Sequence, residues 1–128
     1  MTKKPRTVLD MLIEMFQEQP GADLVRGLKN GASLQLHVDG EGYGLECSNG
    51  AVVISEGELR DPDIVLDMNH ATCEYLVGAD ELDELIQRFR KCDSGDYDSC
   101  ELSYDIRASL ARMWQRGYLD FARKLGIF

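Results

Sequence analysis

The chain is short of histidine and of positive charge, and it has no long apolar run. It carries 14 Lys and Arg against 23 Asp and Glu, a net charge of −9. A protein that tracks nucleic-acid phosphates needs a basic face, so no nucleic-acid partner is expected. No apolar run approaches the roughly 20 residues of a membrane span. The opening MTKKPRTVLDMLIEMF has a basic tip and an apolar run, but Asp10 and Glu14 interrupt that run, unlike a signal peptide. The ending KLGIF is not a peroxisomal address. These absences make a soluble, cytoplasmic protein the expectation. The four cysteines include no CxxC pair and describe neither a zinc site nor a disulfide scaffold. The two histidines form no recognisable signature with a cysteine, as a thiol-nucleophile enzyme would require. No internal repeat or low-complexity segment occurs.

What the chain does have is ordinary apolar content, 44% over 128 residues. That suits one domain spanning residues 1–128 with a buried core. Thr7 followed by Asp10 reads as a capping box. Val8, Leu9, Leu12, Ile13 and Phe16 then share a helical face that Met11 and Met15 widen, and Pro20-Gly21 ends it. A short helix through Leu24, Val25 and Leu28 stops at Asn30-Gly31.

Three strands follow. Leu34, Leu36 and Val38 alternate with Gln35, His37 and Asp39, and after a tight turn Tyr43, Leu45 and Cys47 alternate with Gly44, Glu46 and Ser48. A two-residue loop at Gly40-Glu41 sets Val38 opposite Tyr43, Leu36 opposite Leu45 and Leu34 opposite Cys47. Asn49-Gly50 is a strong hairpin signal that pairs Cys47 with Val52 and Leu45 with Ile54. Arg60-Asp61-Pro62 makes a firmer break, because Pro62 has no amide hydrogen and holds Asp61 extended. The next strand, Ile64–Met68, is therefore expected to leave the meander and join beside Leu34–Val38.

Asn69 caps a helix that runs to Val77 and stops at Gly78. Asp80 caps the next, with Leu82, Leu85, Ile86 and Phe89 on one stripe and a Glu84–Arg88 pair on its surface. A last strand alternates Cys100, Leu102, Tyr104 and Ile106. A single final helix carries Leu110, Met113, Trp114, Gly117, Tyr118, Phe121, Ala122 and Leu125. This helix is also basic: Arg107, Arg112, Arg116, Arg123 and Lys124 stand against Asp120, which suits its C-terminal dipole or an anionic membrane surface. One apolar sheet face with several amphipathic helices makes a two-layer α+β domain.

Several clusters have plain readings. Cys47, Cys73 and Cys100 read as small core residues. Cys92 and Cys100 bracket the loop CDSGDYDSC and could close a disulfide only against a cytoplasmic setting. Asp93, Asp96, Asp98 and Glu101 crowd that loop without the spacing of a calcium loop, so it reads as a solvated acidic loop with no metal.

The stretch Asp61-Pro62-Asp63-Ile64-Val65-Leu66-Asp67-Met68, the helix Ala71–Val77 ending at Gly78, and the strand Glu101–Ile106 before a final helix together resemble the sterol carrier protein 2 family of lipid-binding domains. The likeness runs from about Val8 to Ile106. It departs at the acidic entry to the last strand and in the long, aromatic terminal helix. The resemblance implies a five-stranded mixed or antiparallel sheet with helices covering one face. An apolar tunnel between the layers would hold a fatty acid, sterol-like or acyl-CoA-like lipid, without covalent chemistry or cofactor. Carried onto this chain, its ligand-binding residues are Leu36, Leu45, Ile54, Leu66 and Met68 on the sheet, with Tyr75, Leu76, Leu85, Phe89 and Trp114 on the helices. Trp114 is expected inside the apolar layer, on a terminal helix that lids it. A protein-interaction or dimerisation module with a filled core stays open as an alternative, as does a small enzyme using Cys73 with His70. A transient membrane contact and a homodimer stay open as partners.

Overall fold

The computed structural model describes residues 7–18, 21–48, 51–94 and 100–125, without the side chains of residues 23, 24, 94, 120 and 122. Pro20, the Asn49-Gly50 turn, Asp96, Asp98 and the final 126–128 lie outside the described residues, as do the side chains of Leu24, Asp120 and Ala122.

Thr7 opens the first helix, α1 (Val8–Gln17), with the expected reciprocal cap: its hydroxyl accepts from the Asp10 N–H, and its own N–H donates to the Asp10 carboxylate. Met11, Leu12, Met15 and Phe16 form the buried face. A short helix, α2 (Gly21–Val25), leads to β1 (Ser33–Val38), β2 (Glu41–Ser48) and β3 (Ala51–Glu56). Then come β4 (Ile64–Met68), α3 (His70–Val77), α4 (Leu82–Ser94), β5 (Leu102–Ile106), α5 (Leu110–Gln115) and α6 (Tyr118–Leu125). Asn69 caps α3 through the Thr72 N–H, and Gly78 is its C-cap. The expected cap of α4 moves by one residue: its first backbone bond runs from the Leu85 N–H to the Glu81 carbonyl.

The sheet is five-stranded and mixed, in the order β3-β2-β1-β4-β5. As expected, β4 lies beside β1. They run parallel, with Leu34 opposite Ile64, Leu36 opposite Leu66 and Val38 opposite Met68. The other neighbours are antiparallel. The β2–β3 register is the expected one, Leu45 opposite Ile54 and Cys47 opposite Val52. The β1–β2 register is corrected by two residues: Leu36 faces Tyr43, Leu34 faces Leu45 and Val38 faces Glu41. The two-residue loop is Asp39-Gly40, both at positive φ (51° and 84°), the conformation that matches strand twist in a tight hairpin. A slip of two leaves every side chain on its face, so hydrophobic alternation alone could not distinguish the registers.

The apolar faces of the strands join α1, α3, α4 and α6 in one core. On the opposite face, the connection from β3 to β4 crosses β2 and β1 as a strap. Gln35, on the polar side of β1, is only 2% exposed because this strap covers it. Its side-chain amide donates to the Gly57 carbonyl (3.1 Å), and its side-chain oxygen accepts from the Leu59 N–H (2.7 Å). A buried amide left unsatisfied would cost about 1–3 kcal/mol, so these bonds fix where the strap sits. Gly44 makes room for it: a Cβ there would stand 2.6 Å from Leu59 Cδ2.

The expected single terminal helix is two helices. Gly117 separates them at φ +82°. A helical apolar period can span such a break, because both helices bury a stripe.

Candidate functional site

Apolar residues of β4, α1, α3, α4 and α6 converge on a small internal cavity of about 20 Å³. Leu66 and Met68 form its sheet side, and Leu76, Leu85 and Phe89 come from α3 and α4. Five of the ten expected ligand-binding residues therefore meet at one place. Met15 and Phe16 of α1 and Phe121 and Leu125 of α6 complete the wall. Those four were readable only as helix-stripe residues, since nothing local says which stripe faces which. Every wall residue is apolar, and the cavity has room for about one water molecule with no polar partner, so it is a dry gap.

The other expected residues lie elsewhere. Leu36 and Leu45 are fully buried in the central strands, and Ile54 is half-buried on edge strand β3, packed against the same core. Tyr75 is half-buried on α3, with the Arg88 guanidinium 4.8 Å from its ring centroid. The same Arg88 donates to the Tyr75 carbonyl (2.6 Å) and pairs with Glu84 (2.6 Å). Trp114 is corrected: it is 70% exposed, not inside the layer. The break at Gly117 confines it to the six-residue α5, whose buried contact is Met113, and Trp114 and Leu110 point outward together.

A second, larger space opens on the other side of Phe16, at the C-terminal end of α1. It is a groove of about 520 Å³ between α1, α2 and the strands β2 and β3. Phe16, Val25, Leu28, Cys47 and Val52 give it an apolar floor, and Gln17 and Arg26 stand at its polar side. Gln17 donates to the Val52 carbonyl at 2.7 Å. Phe16 lines both the groove and the inner cavity, and is thus a shared wall between them.

No protein-family model matches the chain, and no curated protein matches it. The chain is similar to a solved structure. That structure is titled "UbiJ-SCP2 Ubiquinone synthesis protein", at 15% identity and a TM-score of 0.48, over 91% of this chain and 88% of that one. The α+β fold itself, a five-stranded mixed sheet with helices on one face, is the arrangement that the sequence resemblance implied.

The reading of Cys73 as a nucleophile loses its support. Cys73 is fully buried, and burial pushes its thiol up to about 12, away from the thiolate. The His70 ring pairs instead with Glu74 at 3.2 Å. Among the described residues, no group of three or more His, Cys, Asp or Glu could hold a metal, and no helix is long and apolar enough to cross a membrane.

Two polar clusters hold the layers in place. Asp63 is fully buried beneath α5 and α6. Its Oδ1 lies 2.7 Å from Arg116 Nη1 and 2.7 Å from Arg112 Nε, the second an ion pair whose N–H is not aligned for a hydrogen bond. Its Oδ2 accepts from the Tyr118 hydroxyl (2.9 Å) and the Ser33 N–H (3.1 Å). Burial, with Asp63 alongside, raises the Tyr118 phenol far above its ordinary value, so it stays a donor. The basic residues of the terminal segment are thus partly spent inside the fold: Arg112 also binds Asp61 through its side chain and carbonyl, each at 3.0 Å.

On the strap side, His37 Nδ1 meets Asp67 at 3.0 Å and Nε2 meets Glu58 at 2.9 Å. Burial works to lower the imidazole's pKa, but hydrogen bonds and charge from Glu58 and Asp67 outweigh it, and the net shift is upward from 6.5. The folded state therefore binds this proton more tightly than the unfolded chain. The resulting stabilisation is complete below about pH 6.5 and is lost as pH rises through the higher folded value. Both carboxylates are more than half exposed, which limits the clasp to about 1 kcal/mol or less. Urea melts of wild type and His37→Gln from about pH 5.5 to about pH 8.5 should show a difference that shrinks with rising pH. A difference that grows with pH would contradict a protonated clasp.

Proposed function

We propose that the protein binds an apolar chain molecule, a fatty acid or similar acyl lipid, without covalent chemistry, and carries it. The supporting observation is that Phe16 is shared between a groove of about 520 Å³ and a small, wholly apolar inner cavity of about 20 Å³. The groove falls within the roughly 300–1,000 Å³ typical of small-molecule sites. The inner cavity alone is far too small for an acyl chain. Loading therefore requires Phe16 to swing aside and the chain to run from the groove toward Leu66, Met68 and Phe89. Met15 and Met68 border that path, and flexible thioethers repack readily around an irregular guest. Burial of each methylene contributes about 0.8 kcal/mol, so a long chain needs little polar help. Arg26, at the groove, suits a carboxylate head group. Exposed Leu110 and Trp114 would touch the membrane from which cargo is drawn.

The smallness of the inner cavity, together with the outward Leu110–Trp114 face, favours a second reading: an interaction or dimerisation module whose core is filled by its own side chains. Denaturant melts separate the two. Phe89→Ala removes a buried ring and should cost about 3–5 kcal/mol without ligand. On the lipid reading, a long-chain fatty acid raises the stability of both wild type and variant by mass action, and the enlarged cavity of the variant gains more. Native mass spectrometry of the purified protein should show the acyl chain bound one to one. Identical melts with and without fatty acid, and no bound lipid, would leave the interaction module as the better account.

A further inference from the structure

Cys92 and Cys100 come together at the far side of the fold from the groove. Cys92 lies in the last turn of α4, and Cys100 stands two residues before β5. Both side chains line one open cleft, beside Asp67, Asn69 and Glu101. The two thiols are near enough in that cleft for each to feel the other's ionisation. Their frames are held independently of the loop between them. On one side α4 packs against the core through Leu85 and Phe89. On the other, Glu101, next to Cys100, is tied to α3: its N–H donates to the Thr72 hydroxyl (2.9 Å), and its carbonyl accepts from the Asn69 N–H (3.2 Å). Cys47 and Cys73 sit in the core, away from this cleft.

We propose that Cys92 and Cys100 are a redox modification site, a dithiol that a low-molecular-weight disulfide such as glutathione disulfide converts to an intramolecular disulfide. The chemistry balances by exchange. Cys100, 9% exposed against 3% for Cys92, is the first attacker. Its thiol loses a proton to solvent, and its sulfur bonds to one sulfur of the oxidant. The oxidant's S–S bond breaks, and one glutathione thiolate leaves. Cys92 then loses its proton and attacks the Cys100 sulfur, expelling the second glutathione thiolate. Two protein thiols are oxidised and one glutathione disulfide is reduced to two thiols. Burial and the neighbouring Cys100 thiol hold the Cys92 thiol above its ordinary value, so the second step is slow at neutral pH and quickens in mild alkali. The bond closes a short loop, Cys92 to Cys100, and restricts the unfolded chain. This holds whether or not the groove takes a lipid.

The test equilibrates the reduced, full-length protein with excess glutathione disulfide, quenches with acid, then unfolds and alkylates it. Two of the four cysteines should resist alkylation, and peptide mapping should join Cys92 to Cys100 within one chain. The oxidised protein should melt about 10 °C higher, an increase that dithiothreitol reverses. Cys100→Ser should leave Cys92 without an internal bond and remove the shift in melting. Four alkylated cysteines, a bond to Cys47, Cys73 or a second chain, or an oxidised form that melts lower than the reduced one would each overturn the proposal.

Discussion

Asp63→Ala should lower the stability of the protein by about 3–5 kcal/mol, the range for removing one partner of a buried ion pair. The carboxylate is completely buried, and four donors depend on it: Arg112, Arg116, the Tyr118 hydroxyl and the Ser33 N–H. Truncation removes the buried counter-charge from Arg116 and leaves Arg112 with the exposed carboxylate of Asp61 at the base of α5 and α6. Asp63→Asn keeps the volume and one acceptor oxygen, so its loss should fall between wild type and Ala, and the gap between the two variants reports the charge. Because these donors come from α5, α6 and β1, the loss should appear as a lower denaturant midpoint for the whole domain rather than fraying of one end. Equilibrium urea unfolding followed by far-UV circular dichroism measures it. A loss below about 1 kcal/mol for Asp63→Ala would mean that the guanidiniums find water as readily as they find the carboxylate.

That anchor shows what a local reading could and could not reach. The Arg-Asp-Pro-Asp stretch was legible as a break, because Pro62 restricts its neighbours whatever surrounds them. That Asp63 would be the binding post for the terminal helices was not, since Arg112, Arg116 and Tyr118 lie about 50 residues away and meet it only after folding. Strand membership was legible from alternation, and the β2–β3 register from the Asn49-Gly50 hairpin signal. The β1–β2 register was not, because a two-residue slip changes no face. Gln35 was legible only as a polar-face position for the same reason: alternation names a face but not what covers it, and here the strap does. For the site, Leu66, Met68, Leu76, Leu85 and Phe89 were legible as inward residues. Phe16, which joins groove and cavity, needed the packing of α1 against β3 to stand out. Trp114 misled because its spacing fits the stripe of one long helix, and the left-handed Gly117 resets the helical phase.

Gly117→Ala should be as damaging as many larger changes, at about 3 kcal/mol or more. Two costs add. At φ +82° an L-residue is strained by roughly 1–2 kcal/mol. The new Cβ would also stand 2.2 Å from the Gly27 carbonyl oxygen, a backbone atom that no rotamer change can move. Nor can the two backbones part easily, because the Lys29 N–H donates to the Arg116 carbonyl at 2.8 Å beside the contact. Relief must come from α6, which then draws the Tyr118 hydroxyl away from Asp63 and lifts Phe121 and Leu125 from the inner cavity. The variant should therefore melt lower, bind ANS where wild type does not, and, on the lipid-carrier reading, take up fatty acid faster though it is less stable. Gly27→Ala is the control: nothing lies within 4 Å of its added Cβ, so it should change stability little. If Gly117→Ala matches that control, the seating of α6 on the Gly27 backbone is wrong. If it melts low yet excludes both dye and fatty acid, α6 is a structural cap on a filled core rather than a wall of a ligand site.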